Sequence, residues 1–289
     1  MSLLPRSVVG ALLRWIPSVS DNLGRPAGVL GWALGKFLFP TVNANMVRLG
    51  VDRLLLVPGE RVLEVGCGPG VGITMALEAL TPPSSPSPSP SGPPPPSGAP
   101  PAAPSTTAPL PAVVGLDYSD TMVAMAVAAL RGPIADGRVR IVYGDVCDAA
   151  GLWPALAEKG GGDVENDVGG PSPLPPPSST AGLAPGGPPA AAAGAPFDAI
   201  FHTNCYYFWP DKVKACRNLA DVLRPGGRML TVYDRVLDER GERIFAPDVV
   251  FHLDAYTSAL AAAGFVRISS EEVRHGEQEL VVVVAHKAE

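Results

Sequence analysis

The feature that most constrains the fold is the segment RVLEVGCGPGVG, from Arg61 to Gly72. Its first half has the compact apolar character of a buried strand, and glycines then occupy every second position from Gly66 onward. The following residues, VGITMALEAL, carry apolar side chains at helical spacing. Because glycine lacks a Cβ, the chain can turn sharply here and a ligand can approach the backbone at the start of the helix. The segment therefore predicts a strand, a tight turn and a helix around a nucleotide-type ligand.

The same unit repeats along the chain. Further strands are predicted in AVVGLD, VRIVYGD, FDAIFHTN and GRMLTVYD, and further helices in SDTMVAMAVAAL and VKACRNLADVL. The helix in DAYTSALAAAGF is expected to end at Gly264, and VRISSEEVR and LVVVVAHK then form a hairpin around HGEQ. The sequence thus predicts an α/β fold: a doubly wound, mostly parallel, seven-stranded Rossmann-like sheet with a C-terminal antiparallel hairpin.

Two stretches interrupt this pattern with proline, glycine, serine and alanine. They are predicted to be disordered surface insertions at 82–111 and 160–196, because such compositions cannot bury enough apolar surface to offset the entropy of ordering. The rest of 45–289 is predicted to form one domain. Residues 1–44 are predicted to form an N-terminal helical segment, which serves either as a lid over the ligand or as a packing layer.

Composition restricts the partners and the compartment. The net charge of -6 gives no electrostatic footprint for nucleic acid, and no apolar run is long enough for stable membrane insertion. The four cysteines lack C-x-x-C spacing, so we expect no metal site and no disulfide framework, and we interpret them as buried thiols in a reducing compartment. We expect a cytoplasmic protein. The alternative is a mitochondrion or plastid, because MSLLPRSVVGALLRWIPSVS carries arginine and serine but no acid. The oligomeric state stays open.

Acidic residues at strand ends discriminate between nucleotide cofactors. A dinucleotide fingerprint counted from Gly66 needs a third glycine at position 71, where Val71 stands. Glu64 lies just before the turn and is suited to a cofactor ammonium, which NAD lacks. Asp117 ends the second predicted strand and suits ribose hydroxyls, which NAD and S-adenosylmethionine share, while Asp145 ends the third and suits an adenine amino group.

Five segments together resemble the successive motifs of the class I S-adenosylmethionine-dependent methyltransferases. They are VLEVGCGPG, VVGLDYSDTMVAMA, VYGDVCD, FDAIFHTNCYYFWPD and VLRPGGRML. The resemblance covers about Asn22 to Lys287 apart from the insertions, and NCYYFWPD with LRPGGR is similar to the UbiE-like small-molecule branch. It implies the methyltransferase fold, S-adenosylmethionine as the cofactor and a small-molecule acceptor whose identity it leaves open. The uncharged aromatic residues from Tyr206 to Trp209 favour a flat or apolar metabolite as that acceptor.

The resemblance also assigns positions to the cofactor. It implies that Glu64 and the loop residues Gly66, Cys67, Gly68 and Gly70 hold the methionine and ribose part, and that Asp117 binds the ribose hydroxyls. Tyr118 or Met122 would flank the adenine ring, and Asp145 and Val146 would contact the edge of that ring. Asn204 would face the methyl group. The segment HTNCYYF contains no acid, and the chain has neither N-P-P-Y nor D-P-P-Y, which argues against methylation of nucleic-acid bases.

Candidate catalytic residues lie at the carboxyl end of the fourth predicted strand and directly after it. Methyl transfer is an in-line displacement that requires alignment of the acceptor and, for some acceptors only, a base. His202, Asn204 and Tyr207 are the candidates. His202 is either a catalytic base or a structural histidine. The aromatic residues from Tyr206 to Trp209 have two alternative roles. They line an acceptor pocket together with Asn204 and the segment from Phe37 to Asn43, or they close the hydrophobic core. Two alternatives to a methyltransferase remain: a non-catalytic scaffold that binds the cofactor, and an NAD-dependent reductase.

Overall fold

A computed structural model of the chain describes residues 25–81, 110–148, 196–235, 252–276 and 278–289. Residues 1–24 of the N-terminal segment lie outside this description. So do 82–109 and 160–195, which make up nearly all of the two predicted insertions.

The seven strands form one mixed sheet in the order β3-β2-β1-β4-β5-β7-β6. The strands β1 to β5 run parallel, and β7 is antiparallel to both β5 and β6. This confirms the doubly wound sheet and the C-terminal hairpin. The bounds are β1 Val62–Val65, β2 Val113–Asp117, β3 Val139–Tyr143, β4 Phe197–Thr203, β5 Leu223–Asp234, β6 Phe265–His275 and β7 Gln278–Lys287.

Helices follow the strands as the apolar spacing predicts. Their bounds are α1 Gly28–Ala33, α2 Phe39–Leu54, α3 Val71–Leu80, α4 Asp120–Ala129, α5 Arg131–Ala135, α6 Lys212–Val222 and α7 Leu253–Ala262, with a π-helical turn at Leu34–Leu38 and a 3₁₀ turn at Tyr206–Phe208. The hydroxyl of Ser119 accepts from the Met122 amide and caps α4, and the carboxylate of Asp211 caps α6 in the same way. Gly264 follows α7 with φ +90°, as expected of a left-handed helix terminus.

One boundary in the sheet differs from the sequence expectation. The sequence predicts that the fifth strand begins with GRMLTVYD, at Gly227, but β5 already begins at Leu223 and pairs with Phe197. The register then shifts, so that Ala199 pairs with Arg228. The RPGG segment is therefore an irregularity within β5, and Gly226 accommodates it with φ +69°.

The two faces of the sheet carry separate hydrophobic clusters. One face packs against α6 and α7, and the other packs against α2 and α3 and extends to Leu130 after α4. The helix α2 runs continuously through residue 44, where the sequence places the end of the N-terminal segment, and packs on β4 and β5. Among the helices described, none combines the length and apolar character needed to cross a bilayer.

Candidate functional site

The site is the loop between β1 and α3, at the carboxyl edge of the sheet. Strand order reverses here, because β1 lies between β2 and β4, and ligands of doubly wound sheets bind at such switch points. The backbone takes positive φ at Gly66, Gly68 and Gly70. A Cβ on Gly66 would lie 2.8 Å from Cys205 Sγ, so the first loop glycine allows β4 to pack closely on the loop. A Cβ on Gly68 would enter open space.

Glu64 lies beneath this loop and is 2% exposed. The Ile73 amide at the start of α3 donates to its carboxylate, and a Cβ on Gly72 would overlap Oε1. The other oxygen, Oε2, is buried and has no hydrogen-bond partner among the described residues. Burial, and then the nearby charge of Asp117, raise the pKa of Glu64 well above its usual value. A donor from a ligand would satisfy this oxygen and stabilise the ionised carboxylate.

Asp117, at the end of β2, fixes the shape of the loop. Its Oδ2 accepts from the Gly68 amide at 2.8 Å and its Oδ1 from the Ser119 amide at 2.9 Å. Burial raises the pKa of Asp117 even though these backbone hydrogen bonds lower it. The Tyr118 amide donates to the same carboxylate, which leaves one of its roughly four acceptor sites for the predicted contact with a ribose hydroxyl.

The residues predicted for the adenine differ in their surroundings. Tyr118 is half-buried beneath Arg25, whose guanidinium carbon lies 5.6 Å from the ring centroid. Met122 is almost fully buried, and a Cβ on Gly35 would lie 2.6 Å from its Cε, so the π-helical turn packs directly on it. The structure therefore places Tyr118 at the edge of the site and Met122 under the N-terminal segment.

Asp145 and Val146 lie beyond β3, which ends at Tyr143. Asp145 is exposed, and its Oδ1 accepts from the Cys147 amide at 2.8 Å. The Val146 side chain is buried, and its carbonyl accepts from Asn218 Nδ2 at 2.8 Å. The two residues form a fixed turn at the same sheet edge as Asp117, which is where the adenine contacts are predicted.

Asn204 joins three elements at the end of β4. Its φ is +48°, its Oδ1 accepts from the Asp234 amide at 3.2 Å and its Nδ2 donates to Asn43 Oδ1 at 3.3 Å. The predicted proximity of Asn204 to the N-terminal segment thus holds for Asn43 in α2. It does not extend to Phe37, which is 58% exposed on the outer surface.

The aromatic run after β4 is mostly core. Tyr206, Tyr207 and Trp209 are buried on the α6 and α7 face, and only Phe208 is half-buried. Tyr206 stacks on Tyr256 of α7 with ring centroids 4.3 Å apart. Burial raises the pKa of Tyr207 well above its usual value, so its hydroxyl stays protonated. This geometry favours the core interpretation of Tyr206, Tyr207 and Trp209 over an acceptor pocket.

His202 is fully buried on the same face. Its Nε2 lies 2.9 Å from both Tyr256 Oη and Thr231 Oγ1, and Trp209 packs on the ring at a centroid distance of 4.8 Å. Burial lowers the pKa of His202 to about 3, so the imidazole is neutral near pH 7. The surroundings favour the structural alternative for His202, because the ring is enclosed by the core rather than presented to the loop.

Two cysteines near the loop take different positions. The sulfur of Cys67 packs into the core against Gly115, where an added Cβ would lie 2.9 Å from Sγ, so only the Cys67 backbone can face a cofactor. Cys205, to which the sequence gives no role, is half-buried against Gly66, and burial raises the pKa of its thiol to about 12. Its position directly after Asn204 is the signal that could have placed it at the site. Among the described residues, no cluster of histidine, cysteine and acidic side chains could hold a metal ion.

Solved structures identify the fold. The chain matches phosphoethanolamine N-methyltransferase 2 of Haemonchus contortus, solved with S-adenosyl-L-methionine, at 14% identity and a TM-score of 0.53, covering 95% of this chain and 61% of that one. It matches the CurJ carbon methyltransferase at 13% identity and a TM-score of 0.53, covering 99% and 68%. A chain of the Haloferax volcanii complex that contains the Trm112 methyltransferase activator matches at 12% identity and a TM-score of 0.55, covering 90% and 95%.

The fold is the Rossmann-like methyltransferase fold. This confirms the predicted fold class, including the antiparallel β7 between β5 and β6. No protein-family model matches the sequence, and no curated protein does. The chain spans about three fifths of the length of the Haemonchus enzyme.

Proposed function

We propose that the chain binds S-adenosylmethionine and transfers its methyl group to a small, flat or apolar metabolite, in the manner of the UbiE-like branch. The observation that carries the proposal is Glu64 Oε2, a buried acceptor without a partner among the described residues, directly beneath the glycine loop. A buried carboxylate oxygen left unpaired is costly, and a ligand ammonium would satisfy it. A nicotinamide dinucleotide brings no such group.

The residues around Glu64 fit the rest of the cofactor. The backbone of Gly66 and Gly68 would approach it closely, the N-terminus of α3 would face its carboxylate, and Asp117 would accept from the ribose hydroxyls. Tyr118 would lie beside the adenine, with the turn at Asp145 and Val146 at its edge. When bound, S-adenosylmethionine supplies an electrophilic methyl group on a sulfonium.

The chain itself contributes alignment rather than acid–base chemistry in this proposal. His202 is neutral, enclosed and bonded through Nε2, and Tyr207 stays protonated, so neither is suited to take a proton from the acceptor. Asn204 and Asn43 would form the polar edge beside the methyl group. An acceptor whose nucleophilic atom is free at neutral pH would react by proximity and exclusion of water.

Titration calorimetry tests the cofactor. S-adenosylhomocysteine should bind, and Asp117→Ala should weaken that binding by about 1.5–3 kcal/mol, because charge-assisted hydrogen bonds to the ligand and the loop are lost. Asp198→Ala is the matched control. Asp198 also accepts from a backbone amide, that of Arg61, but at the opposite end of the sheet, so affinity should stay within about twofold. Binding of NADH with no heat from S-adenosylhomocysteine would overturn the proposal.

A second experiment tests turnover. The full chain is incubated with S-adenosylmethionine labelled on the methyl group and either a metabolite pool or total nucleic acid, and the labelled product is identified. A labelled flat or apolar product supports the proposed acceptor class, and a labelled nucleic acid contradicts it. Cofactor binding without any labelled product would favour the non-catalytic scaffold.

A further inference from the structure

Arg25 connects the N-terminal segment to the ends of two neighbouring strands. Its guanidinium carbon lies 5.6 Å from the centroid of the Tyr118 ring, and its Nη2 donates to Tyr143 Oη at 3.2 Å. Tyr118 directly follows β2, and Tyr143 is the last residue of β3. The Arg25 side chain therefore spans the edge of the sheet at which the adenine contacts are predicted.

The backbone beside Arg25 is anchored by other contacts. Pro26 disfavours a helical conformation at Arg25, and the Pro26 carbonyl accepts from the hydroxyl of Ser119, next to Tyr118. A Cβ on Gly31 would lie 2.5 Å from the carbonyl carbon of Pro26, so α1 packs closely back on this residue. These backbone contacts hold position 25 over Tyr118 independently of the Arg25 side chain.

Tyr143, the second contact of Arg25, lies beside Asp117. The two residues are register partners of the parallel strands β2 and β3, so their side chains leave the same face of the sheet. The Asp117 carboxylate accepts from the Gly68 amide and thereby shapes the glycine loop. Arg25 is therefore attached next to the carboxylate that is predicted to bind the ribose.

Tyr118 lies within electrostatic range of both Arg25 and the site. Burial, and then Cys205 and Asp117, raise the pKa of its hydroxyl, whereas the charge of Arg25 lowers that pKa. Arg25 is exposed and Tyr118 is half-buried, so the guanidinium covers the ring from the solvent side. A ring that is already fixed in this way loses less rotamer freedom when a ligand stacks on it.

We propose that Arg25 is a positioning residue for the cofactor: its guanidinium fixes the Tyr118 ring against which the adenine stacks. The inference rests on the proposed binding of S-adenosylmethionine and adds a residue from outside the sequence motifs of that cofactor. The Tyr143 hydroxyl keeps the long Arg25 side chain over the ring. An exposed cation–π contact together with the ordering of one aromatic side chain corresponds to about threefold to tenfold in affinity.

Titration calorimetry with S-adenosylhomocysteine and with methylthioadenosine tests the proposal, because both ligands carry the adenosine and only the first carries the amino acid. Arg25→Ala should weaken binding of both ligands by the same factor, about threefold to tenfold. Arg25→Lys retains a cation that can lie over the ring and should recover part of this loss. Tyr143→Phe removes only the second contact of Arg25 and should weaken binding about twofold.

A double-mutant cycle separates positioning from a merely structural role. Tyr118→Ala should weaken binding of S-adenosylhomocysteine at least about fivefold, because stacking on the adenine is lost. Since Arg25 acts through Tyr118, Arg25→Ala should cause no further loss when Tyr118 is already alanine. Arg138→Ala is the matched control. Arg138 is also exposed and donates to Asp136 at 2.9 Å, but it lies at the amino end of β3, so affinity should stay within about twofold.

Three results would overturn this inference and leave the proposed cofactor in place. The first is an Arg25→Ala variant that binds both ligands as the wild type does. The second is an equal loss with and without the Tyr118 ring, together with a lower melting temperature, which would assign Arg25 to anchoring of the N-terminal segment. The third is a loss for S-adenosylhomocysteine alone, which would place the effect at the amino acid. Wild-type protein that binds neither ligand would overturn the proposed cofactor as well.

Discussion

Glu64 and His202 are buried titratable residues on neighbouring strands, but they lie on opposite faces of the sheet. Glu64 pairs in register with Phe201, directly before His202. Glu64 faces the glycine loop and α3, and its charged form would benefit from a ligand donor. His202 faces Thr231, Tyr256 and Trp209: its Nε2 lies within hydrogen-bond distance of two hydroxyls, and its Nδ1 is buried in the core without a hydrogen-bond partner among the described residues. Burial and a perturbed pKa alone therefore do not mark a functional residue; the open loop above Glu64 makes the difference.

The largest effect of a substitution is expected in the core around His202. Trp209→Ala should lower the free energy of unfolding by about 3–5 kcal/mol, because the indole fills a buried aromatic cluster. Chemical denaturation measures it. Phe208→Ala is the neighbouring control and should cost clearly less, since Phe208 is only partly buried. If Trp209→Ala left stability intact and abolished acceptor binding, Trp209 would belong to an acceptor pocket and the core interpretation would fail.

The corresponding substitution next to Glu64 is Gly72→Ala. An added Cβ would overlap the Glu64 carboxylate, so we expect a loss of about 1–3 kcal/mol in stability and at least about tenfold in affinity for S-adenosylhomocysteine. Gly132→Ala is the control, because Gly132 is also helical but has open space around its Cβ position. That variant should be neutral or slightly more stable. Unchanged affinity in Gly72→Ala would remove Glu64 from the cofactor site.

Opposite pH dependences sharpen the comparison. The folded-state pKa of Glu64 is raised, so its contribution to stability is present below its ordinary value of 4.5 and is lost as pH rises. The folded-state pKa of His202 is lowered from 6.5 to about 3, so its contribution is present above pH 6.5 and is lost as pH falls. Each group changes stability by at most about 1.4 kcal/mol per pH unit.

Unfolding free energies measured from about pH 5 to pH 8 test these signs. Glu64→Gln should remove part of the decline towards high pH, and His202→Asn should remove part of the decline towards low pH. Addition of S-adenosylhomocysteine should reduce the Glu64 effect, because its ammonium favours the ionised carboxylate. The same pH slope in Glu64→Gln and the wild type would show that the pKa of Glu64 is not raised in the folded protein.

The sequence predicts the fold well because repeated local patterns encode it. Strand β1, the glycine loop and α3 are each visible in consecutive residues, and so are the hairpin strands β6 and β7. It predicts less about which side chains face the site. His202 lies at the end of the expected strand and Tyr207 and Trp209 come after it, but strand alternation and the α7 residue Tyr256 enclose them on the other face. Cys205 and Gly35 show the same limit, since their neighbours lie far away in the sequence.

Asn204 lies at the boundary between the two regions, and its substitution gives the smallest effect. Asn204→Ala should lower stability by about 1–2 kcal/mol, because alanine is strained at φ +48° and the hydrogen bonds to Asp234 and Asn43 are lost. Asn204→Gly loses the same hydrogen bonds without the strain and should cost less. Cofactor affinity should stay within about twofold in both, since Asn204 is predicted to face the methyl group rather than the adenosine.

The pair of substitutions separates two roles for the Asn204 side chain. If the amide aligns the acceptor, both variants should lose methyl transfer equally although their stabilities differ. If Asn204 serves only the backbone turn after β4, glycine should restore methyl transfer and alanine should not. Labelled methyl transfer and chemical denaturation on the same two variants decide between these outcomes, because the difference between glycine and alanine reports the backbone and their shared loss reports the amide.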